Sequence, residues 1–371
     1  MSSLSALFLL ACLLPLSGGK QENSPSGAQN DRKLVALVPV RDEAHLLPSC
    51  LRALVPLVDA IVVLDDCSTD GSGDVARALA RECKVERVAR TPNCPGRENK
   101  GVALPYWGDE AQHRGLLLDL GRSVGGTHFL AIDADEAIVV ETEEGFERLK
   151  RDILGMAEAD LLVLPYVTMY GSAKTFRRDK GDMKAVGFGD QPGASFRRKS
   201  TDDRLHIQRI PSFARPGTPW ELKSPDLVPR TAVLHFGFTN LPNARMKNLI
   251  YNLFDRASGS SKTSEDMNRG LDAQGMTVAA EARIRQEALS TAPAAWINCL
   301  TGKKFNWSTF ESELVPAWRE ELAIHLISQD SGPTRFRGME ALRLLLVHEF
   351  QTIEGSDRRR FLQMLRRLNT P

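Results

Sequence analysis

Residues 128–138 read His-Phe-Leu-Ala-Ile-Asp-Ala-Asp-Glu-Ala-Ile, a short apolar run followed at once by three carboxylates. The apolar part has the length and composition of a buried strand, and the acids are Asp133, Asp135 and Glu136. Alternation along a strand would turn Asp133 and Asp135 to the same side, where they repel each other unless a cation lies between them. Mg²⁺ and Mn²⁺ prefer such oxygen ligands. On this stretch alone, a metal site and a strand end with solvated acids are equally good interpretations.

Two earlier stretches have the same construction. Residues 34–40 and 60–64 are apolar runs of strand length without polar alternation, which is typical of parallel strands buried on both faces. A helical spacing of apolar residues follows each run, so the chain alternates strand and helix as in βαβ units. We therefore expect an α/β fold with a doubly wound, mostly parallel sheet of Rossmann-like type.

Polar residues directly follow all three of these predicted strands. They are Arg41, Asp42 and Glu43 after the first strand, Asp65 and Asp66 after the second, and Asp133 and Asp135 after the third. Open α/β sheets bind their ligands at the carboxyl ends of the strands. The positions of these residues therefore favour a binding site over a set of solvated acids.

Length and composition limit the classes of protein to consider. The chain has 371 residues, of which 42% are hydrophobic and 26% charged, and this indicates a folded globular protein. A formal net charge of +1 argues against a nucleic-acid partner held by bulk electrostatics. We expect no membrane span, because the apolar run at residues 4–16 is shorter than the roughly 20 residues that a spanning helix needs.

The composition along the chain predicts four segments. They are a signal peptide-like segment at 1–19, a polar linker at 20–32, an α/β domain at 33–245 and a helical C-terminal region at 246–371. A working leader implies the secretory pathway or another extracytoplasmic location, and a leader that does not function implies the cytoplasm. In an oxidising compartment, a Cys83–Cys94 bridge is one option for the cysteines.

The part of the chain after the acidic stretch is harder to interpret. Residues 170–230 show little regular pattern, and we expect short strands and loops that shape a substrate site rather than part of the core. A further apolar run at 231–237 predicts a strand, and it carries His235.

Three motifs, in this order and spacing, resemble those of family 2 type glycosyltransferases of GT-A fold. They are Leu-Val-Ala-Leu-Val-Pro-Val-Arg-Asp-Glu at 34–43, Ile-Val-Val-Leu-Asp-Asp-Cys-Ser-Thr-Asp-Gly at 61–71 and Phe-Leu-Ala-Ile-Asp-Ala-Asp-Glu at 129–136. The similarity covers residues 33–245, so we expect a GT-A glycosyltransferase domain there. The resemblance implies a UDP- or GDP-sugar donor, Mn²⁺ or Mg²⁺ as cofactor, and a glycan, protein or lipid acceptor.

The same resemblance assigns the first two strand ends to the nucleoside. Pro39, Arg41 and Glu43 would lie beside the base and ribose. Asp66, with Asp65, would accept hydrogen bonds from the base or the ribose, because a carboxylate accepts readily from an imide N–H or a hydroxyl.

The resemblance assigns the third strand end to the diphosphate and the metal ion. Asp133 and Asp135 match the Asp-x-Asp motif, which positions the ribose and the metal on the diphosphate. His235 matches a histidine that reaches the metal or the diphosphate from a later strand, with a purely structural role as the alternative. Lys100 and Arg114 are candidates for diphosphate contacts, or else exposed charges.

The general base is not identified by any motif. An inverting transferase needs a carboxylate near the acceptor hydroxyl. Asp190, in a Gly-Asp-Gln-Pro-Gly turn, and Glu221, after a tryptophan, are the candidates, whereas Glu136 beside the metal carboxylates suits this role less. The Gln-x-x-Arg-Trp motif of processive members is absent from the sequence, which favours transfer of a single sugar.

Two other functions suit the same fold. A sugar nucleotidyltransferase usually has a glycine-rich loop after the first strand, and Pro39-Val-Arg-Asp-Glu43 contains no glycine. A non-catalytic GT-A-like binding protein would account for the missing base, although it would not need the intact acids Asp66, Asp133 and Asp135.

Overall fold

The computed structural model of the chain describes residues 32–92, 110–158, 160–177, 182–191, 193–196, 231–241, 244, 247–248, 278–301 and 305. The strands within these residues are β1 (Leu34–Val40), β2 (Ala60–Asp65), β3 (Val85–Arg90), β4 (His128–Ala131), β5 (Glu136–Val140), β6 (Leu161–Tyr170), β7 (Thr175–Arg177), β8 (Asp182–Gly189), β9 (Thr231–Phe238) and β10 (Leu289–Thr291). The principal helices are α1 (Leu47–Leu54), α2 (Ser72–Ala78), α3 (Glu110–Ser123), α4 (Glu143–Gly155), α5 (Val278–Glu287) and α6 (Ala294–Thr301).

The strands form a mixed sheet in which β10, β7, β6, β8, β4, β1, β2 and β3 lie side by side in that order. β3, β2, β1 and β4 are parallel, whereas β8 runs antiparallel between β4 and β6. β9 pairs in parallel with β6 and antiparallel with β5. The predicted α/β fold is therefore confirmed, with its parallel strands concentrated in the N-terminal half.

Helices cover both faces of the parallel strands, which explains why β1 is a continuous apolar run. Leu34, Ala36 and Val38 pack in a core with residues of α1, α2 and α4 on one face. Val35 and Leu37 pack with residues of α3 on the other face. A strand that is buried on both faces has no solvent side for polar residues, and the sheet is doubly wound as predicted.

The register of the parallel strands brings their carboxyl ends to one edge of the sheet. Val40 lies opposite Asp65, and Leu37 lies opposite Ala131. The main chain continues this pairing beyond the strands, because Asp66 N–H donates to the Val40 carbonyl and Ile132 N–H donates to the Leu37 carbonyl. The residues that follow β1, β2 and β4 are thus neighbours.

The expectation that residues 170–230 hold no part of the core is wrong for β8. This strand lies between β4 and β6, and Ala185, Val186 and Phe188 are buried in it. The apolar pattern of a buried strand is hard to recognise in its sequence, Asp-Met-Lys-Ala-Val-Gly-Phe-Gly, because a charged residue and two glycines interrupt the apolar positions. Residues 197–230 lie outside the described residues.

Parts of the predicted C-terminal region pack against the sheet. β10 pairs with β7, and Trp296 and Leu300 of α6 join a core with Ala137 and Val139 of β5. The boundary at residue 245 stays a prediction. Among the described residues, no helix combines the length and the apolar character needed to cross a membrane.

Helix α3 lies close to the sheet because of a glycine. A Cβ atom at Gly121 would lie 2.6 Å from Phe129 Cε1 and 2.7 Å from Leu37 Cδ2, in the middle of the core. Gly115, in the same helix, has nothing within 4 Å of its Cβ position. Close contact at Gly121 holds α3 against the sheet. It thereby fixes the position of the N-terminal half of α3 relative to the strands.

We expect opposite effects from alanine at these two glycines of α3. Gly121→Ala should lower the free energy of unfolding by about 1–3 kcal/mol, because the added methyl group overpacks the core. Gly115→Ala should raise it by up to about 1 kcal/mol, because alanine favours the helix and meets no neighbour. Urea denaturation of both variants measures the difference. Equal effects of the same sign would contradict the close approach of α3.

Candidate nucleotide and metal site

The loops after β1 and β2 hold each other in place at the carboxyl edge of the sheet. Asp42 has a positive φ of 52°, and its Oδ1 accepts the Thr69 N–H at 2.6 Å. In return, Ser68 Oγ accepts the Asp42 N–H at 3.0 Å, and Ser72 Oγ accepts the Glu43 N–H at 3.0 Å. The sequence marked Asp42 only as an acid at a strand end, and its role is to join the two loops.

Arg41 and Asp66 form the part of the site that offers both donors and acceptors. Arg41 Nη1 lies 3.2 Å from Asp66 Oδ2, and Asp66 is buried. Asp65 differs from Asp66, because its Oδ1 accepts the Ser68 N–H at 2.8 Å and closes its own turn. Pro39 is buried inside β1, opposite Leu64 of β2.

Asp133 and Asp135 lie in a turn and not on a strand. β4 ends at Ala131 and β5 begins at Glu136, so strand alternation is not what brings the two acids together. The turn is closed by the Glu136 N–H, which donates to the Asp133 carbonyl at 3.1 Å. We call residues 133–136 the acid turn. One carboxylate oxygen from each of Asp133, Asp135 and Glu136 lies within 4.8 Å of the other two.

Basic side chains from distant parts of the chain meet the acid turn. Arg114 of α3 is buried, and its Nη2 lies 3.1 Å from Asp133 Oδ1. Lys247 Nζ lies 3.2 Å from Asp135 Oδ2 and 3.0 Å from Glu43 Oε1, so it bridges the acid turn and the loop after β1.

His235 approaches the acid turn from β9. Its Nε2 lies 3.5 Å from Asp135 Oδ2, and the Phe236 N–H donates to the Asp135 carbonyl at 2.9 Å. Burial raises the pKa of Asp135, but the charges of Lys247 and His235 outweigh burial and hold that pKa well below its usual range. Asp135 is therefore a carboxylate at neutral pH.

The Glu136 carboxylate is fully buried and engaged inside the protein. Its Oε2 accepts the Asp133 N–H at 2.9 Å and also pairs with Lys184 Nζ, while its Oε1 accepts the Tyr166 hydroxyl at 3.2 Å. Lys184, on β8, is itself fully buried. Sequence reasoning assigned no role to Glu136 and missed Lys184 and Tyr166. A lysine inside an otherwise apolar strand was the one signal available for this buried pair.

The described residues at the acid turn fit a divalent cation. Asp133 and Asp135 supply carboxylate oxygens, which Mg²⁺ and Mn²⁺ prefer, and His235 supplies an imidazole nitrogen nearby. Its Nδ1 is buried and has no hydrogen-bond partner among the described residues. Glu136 does not belong to this donor set, because both its oxygens are already engaged inside the protein.

Of the predicted site residues, the structure brings Arg41, Glu43, Asp66, Arg114, Asp133, Asp135 and His235 to the carboxyl edge of the sheet. Lys100 and Glu221 lie outside the described residues, so their predicted roles are not tested.

The structure does not bring Asp190, the predicted general base, to the acid turn. Asp190 follows β8, whose last residue pairs with His128, the first residue of β4. Its N–H donates to the Thr127 carbonyl, so Asp190 lies at the amino edge. Thr127 itself precedes Asp133 by six residues, or roughly 20 Å of extended chain. Both carboxylate oxygens of Asp190 bind Arg122 at 2.8 Å.

The cysteines also differ from expectation. Cys83 is buried and free, so the Cys83–Cys94 bridge does not form. Cys67, in the loop after β2, is disulfide-bonded, and its partner lies outside the described residues.

No protein-family model and no curated protein matches the sequence. Among solved structures, residues 1–349 of Staphylococcus aureus TarS are similar at 13% identity over 86% of this chain and 92% of that chain, with a TM-score of 0.33. The mannosyltransferase PcManGT from Pyrobaculum calidifontis, in complex with GDP-Man and Mn²⁺, is similar at 14% identity over 91% and 84%, with a TM-score of 0.30.

Glucosyl-3-phosphoglycerate synthase from Mycobacterium tuberculosis, in complex with Mn²⁺, UDP and glucosyl-3-phosphoglycerate, is also similar. Its identity is 19% over 42% of this chain and 52% of that chain, with a TM-score of 0.23. At these identities and TM-scores, the three similarities carry no argument about the function of this chain.

A buried histidine beside the site makes stability depend on pH. Burial, and then the positive charges of Arg114 and Arg41, lower the pKa of His113 from 6.5 to about 3. The unfolded chain binds this proton near pH 6.5 and the folded chain only near pH 3, so acidification between these values favours unfolding.

We therefore expect proton binding at His113 to lower the free energy of unfolding by about 2 kcal/mol when the pH falls from 7 to 5. In His113→Gln this part of the loss should disappear, whatever the absolute stability of the variant. His45→Gln is the control, because His45 is partly exposed and leaves His113 in place. Denaturation curves at both pH values measure the loss. An unchanged pH dependence in His113→Gln would show that His113 is not held neutral.

Proposed function

We propose that this chain is a metal-dependent glycosyltransferase that moves one sugar from a nucleotide-sugar donor to a glycan, protein or lipid acceptor. One observation carries the proposal: the Arg41–Asp66 pair and the acid turn with Asp133 and Asp135 lie at the same carboxyl edge of the parallel strands. A ligand that reaches both needs a hydrogen-bonding group at one end and a negatively charged group with its cation at the other. A nucleoside diphosphate sugar has this character.

The nucleoside end is proposed to lie against the loops after β1 and β2. Asp66 accepts hydrogen bonds and Arg41 donates them, so together they complement a base that presents both kinds of group. The mutual hydrogen bonds of Asp42, Ser68 and Thr69 hold these loops before any ligand arrives. A preformed site loses less conformational entropy on binding.

The diphosphate end is proposed to lie at the acid turn. Asp133, Asp135 and His235 would hold Mn²⁺ or Mg²⁺, which as a Lewis acid stabilises the charge that develops on the departing diphosphate. Arg114 and Lys247 add positive charge beside these carboxylates, and this charge attracts the phosphate oxygens. The protein groups thus bind and orient the leaving group.

An extracytoplasmic or secretory location is proposed for the same chain. The signal peptide-like segment at 1–19 supports it, and so does the disulfide at Cys67, because disulfides persist mainly in oxidising compartments.

Removal of either acid should abolish the metal site. We expect Asp133→Ala and Asp135→Ala each to weaken Mn²⁺ binding in the presence of UDP or GDP by at least tenfold, since loss of residues that only support metal ligands already costs about 10- to 100-fold. Isothermal titration measures the affinity, and release of nucleoside diphosphate from a panel of UDP- and GDP-sugars measures turnover. Asp152→Ala is the control, because Asp152 is exposed on α4.

The outcomes of these measurements separate the competing functions. Metal and nucleotide binding without turnover of any donor favours a non-catalytic binding protein. Formation of a nucleotide-sugar from a nucleoside triphosphate and a sugar phosphate favours a sugar nucleotidyltransferase. Binding that persists unchanged in both alanine variants contradicts the proposed metal site.

Lys247 should compete with the metal ion, because it already contacts Asp135 and Glu43. We expect Lys247→Met to bind Mn²⁺ alone about fivefold more tightly, the equivalent of about 1 kcal/mol for a partly exposed pair. Titration with Mn²⁺ measures this, and Lys174→Met, at an exposed position, is the control. Weaker Mn²⁺ binding in Lys247→Met would exclude this competition.

A further inference from the structure

A fully buried ion pair lies directly beside Asp133. Lys184 Nζ and Glu136 Oε2 are in contact, and both side chains are 0% exposed. Lys184 Nζ also lies 3.7 Å from Asp133 Oδ2. This lysine therefore has two carboxylates within reach, one buried and one at the site.

Lys184 Nζ lies closer to the Glu136 carboxylate than to the Asp133 carboxylate. Glu136 Oε2 also accepts the Asp133 N–H, so the same oxygen fixes the backbone of the acid turn. We propose that Glu136 is a positioning residue: by holding Lys184 and the Asp133 amide, it keeps the Asp133 carboxylate available for the diphosphate-bound cation.

A second contact extends this role to the other side of the acid turn. Tyr166 donates its hydroxyl to Glu136 Oε1 at 3.2 Å, and its ring stacks on His235 with centroids 5.2 Å apart. His235 in turn contacts Asp135. Glu136 thus orients the Asp133 amide directly and supports the histidine beside Asp135 through Tyr166.

The charge of Glu136 is what this role requires. Glutamine at this position keeps one acceptor oxygen for the Asp133 N–H, and its NH2 group can donate to the Tyr166 hydroxyl, but it no longer neutralises Lys184. A buried ammonium without a carboxylate partner is costly, so Lys184 then pairs with Asp133 and opposes a divalent cation there. Removal of both charges leaves Asp133 free of this competition.

The inference rests on the proposed function in one respect, because it takes Asp133 and Asp135 as the residues that bind the cation. The test measures Mn²⁺ affinity by titration with UDP or GDP present. We expect at least tenfold weaker binding in Glu136→Gln, and binding within about threefold of wild type in the double variant Lys184→Met/Glu136→Gln. Recovery in the double variant separates a positioning role from direct ligation.

A matched control exists at the opposite edge of the sheet. Asp59 also accepts a backbone N–H, from Leu34, and pairs with a lysine, Lys150. Asp59→Asn should lower stability and leave Mn²⁺ affinity unchanged, so it separates loss of stability from loss of metal binding. Urea denaturation of every variant accompanies the titrations.

The measured Mn²⁺ affinities decide whether Glu136 has a positioning role. A Glu136→Gln variant that binds Mn²⁺ like wild type overturns the inference, and so does a double variant that binds at least tenfold more weakly, since Glu136 would then act directly. If Glu136→Gln does not fold, the double variant decides alone by the same criterion. A wild-type chain that binds no Mn²⁺ overturns the proposed function, and the inference with it.

Discussion

Repulsion among carboxylates at one edge of the sheet is the constraint on which this site depends. Each carboxylate of the acid turn meets a basic side chain from another part of the chain. The pairs are Arg114 with Asp133, Lys247 with Asp135, and Lys184 with Glu136. Because these bases come from α3, from β8 and from the segment after β9, the turn keeps its geometry only when all three parts are in place. The site is therefore a property of the assembled fold.

Stability alone does not explain the buried pair of Glu136 and Lys184. Taking two charges out of water costs so much that a hydrophobic replacement of a buried pair is often neutral or stabilising, whereas loss of one partner costs about 3–5 kcal/mol. The additional contacts give the pair another purpose. Glu136 accepts the Asp133 N–H and the Tyr166 hydroxyl, and an apolar residue would leave these donors unsatisfied. The pair specifies the conformation of the turn.

The sequence predicted the parts of the site that depend on local pattern and parallel topology. Apolar runs identified β1, β2 and β4, and parallel pairing required their carboxyl ends to meet, so Arg41, Asp66, Asp133 and Asp135 were placed at one edge. Asp190 does not lie at this edge, because it follows an antiparallel strand whose carboxyl end is at the opposite edge.

The sequence does not show which distant residues contact each other. Lys184 is 48 residues from Glu136, and Lys247 is 204 residues from Glu43. No spacing rule links such partners, because only the packed sheet brings them together. The contact of Arg114 was not predicted either. The sequence suggested a diphosphate contact or an exposed charge, whereas α3 buries Arg114 against Asp133.

The two lysines at the acid turn differ in a way that bears on how a ligand would enter. Lys184 is 0% exposed, and Glu136 neutralises its charge inside the protein. A ligand therefore cannot displace Lys184. The Lys247 side chain is 25% exposed and contacts Asp135 and Glu43 from the solvent side. Of these two lysine charges, a cation that arrives with a diphosphate can displace that of Lys247, whereas that of Lys184 stays in place. The cation can bind beside Lys184 only because Glu136 neutralises the charge of this lysine. Glu136, a buried acid that does not contact the ligand, is therefore a condition for binding at Asp133.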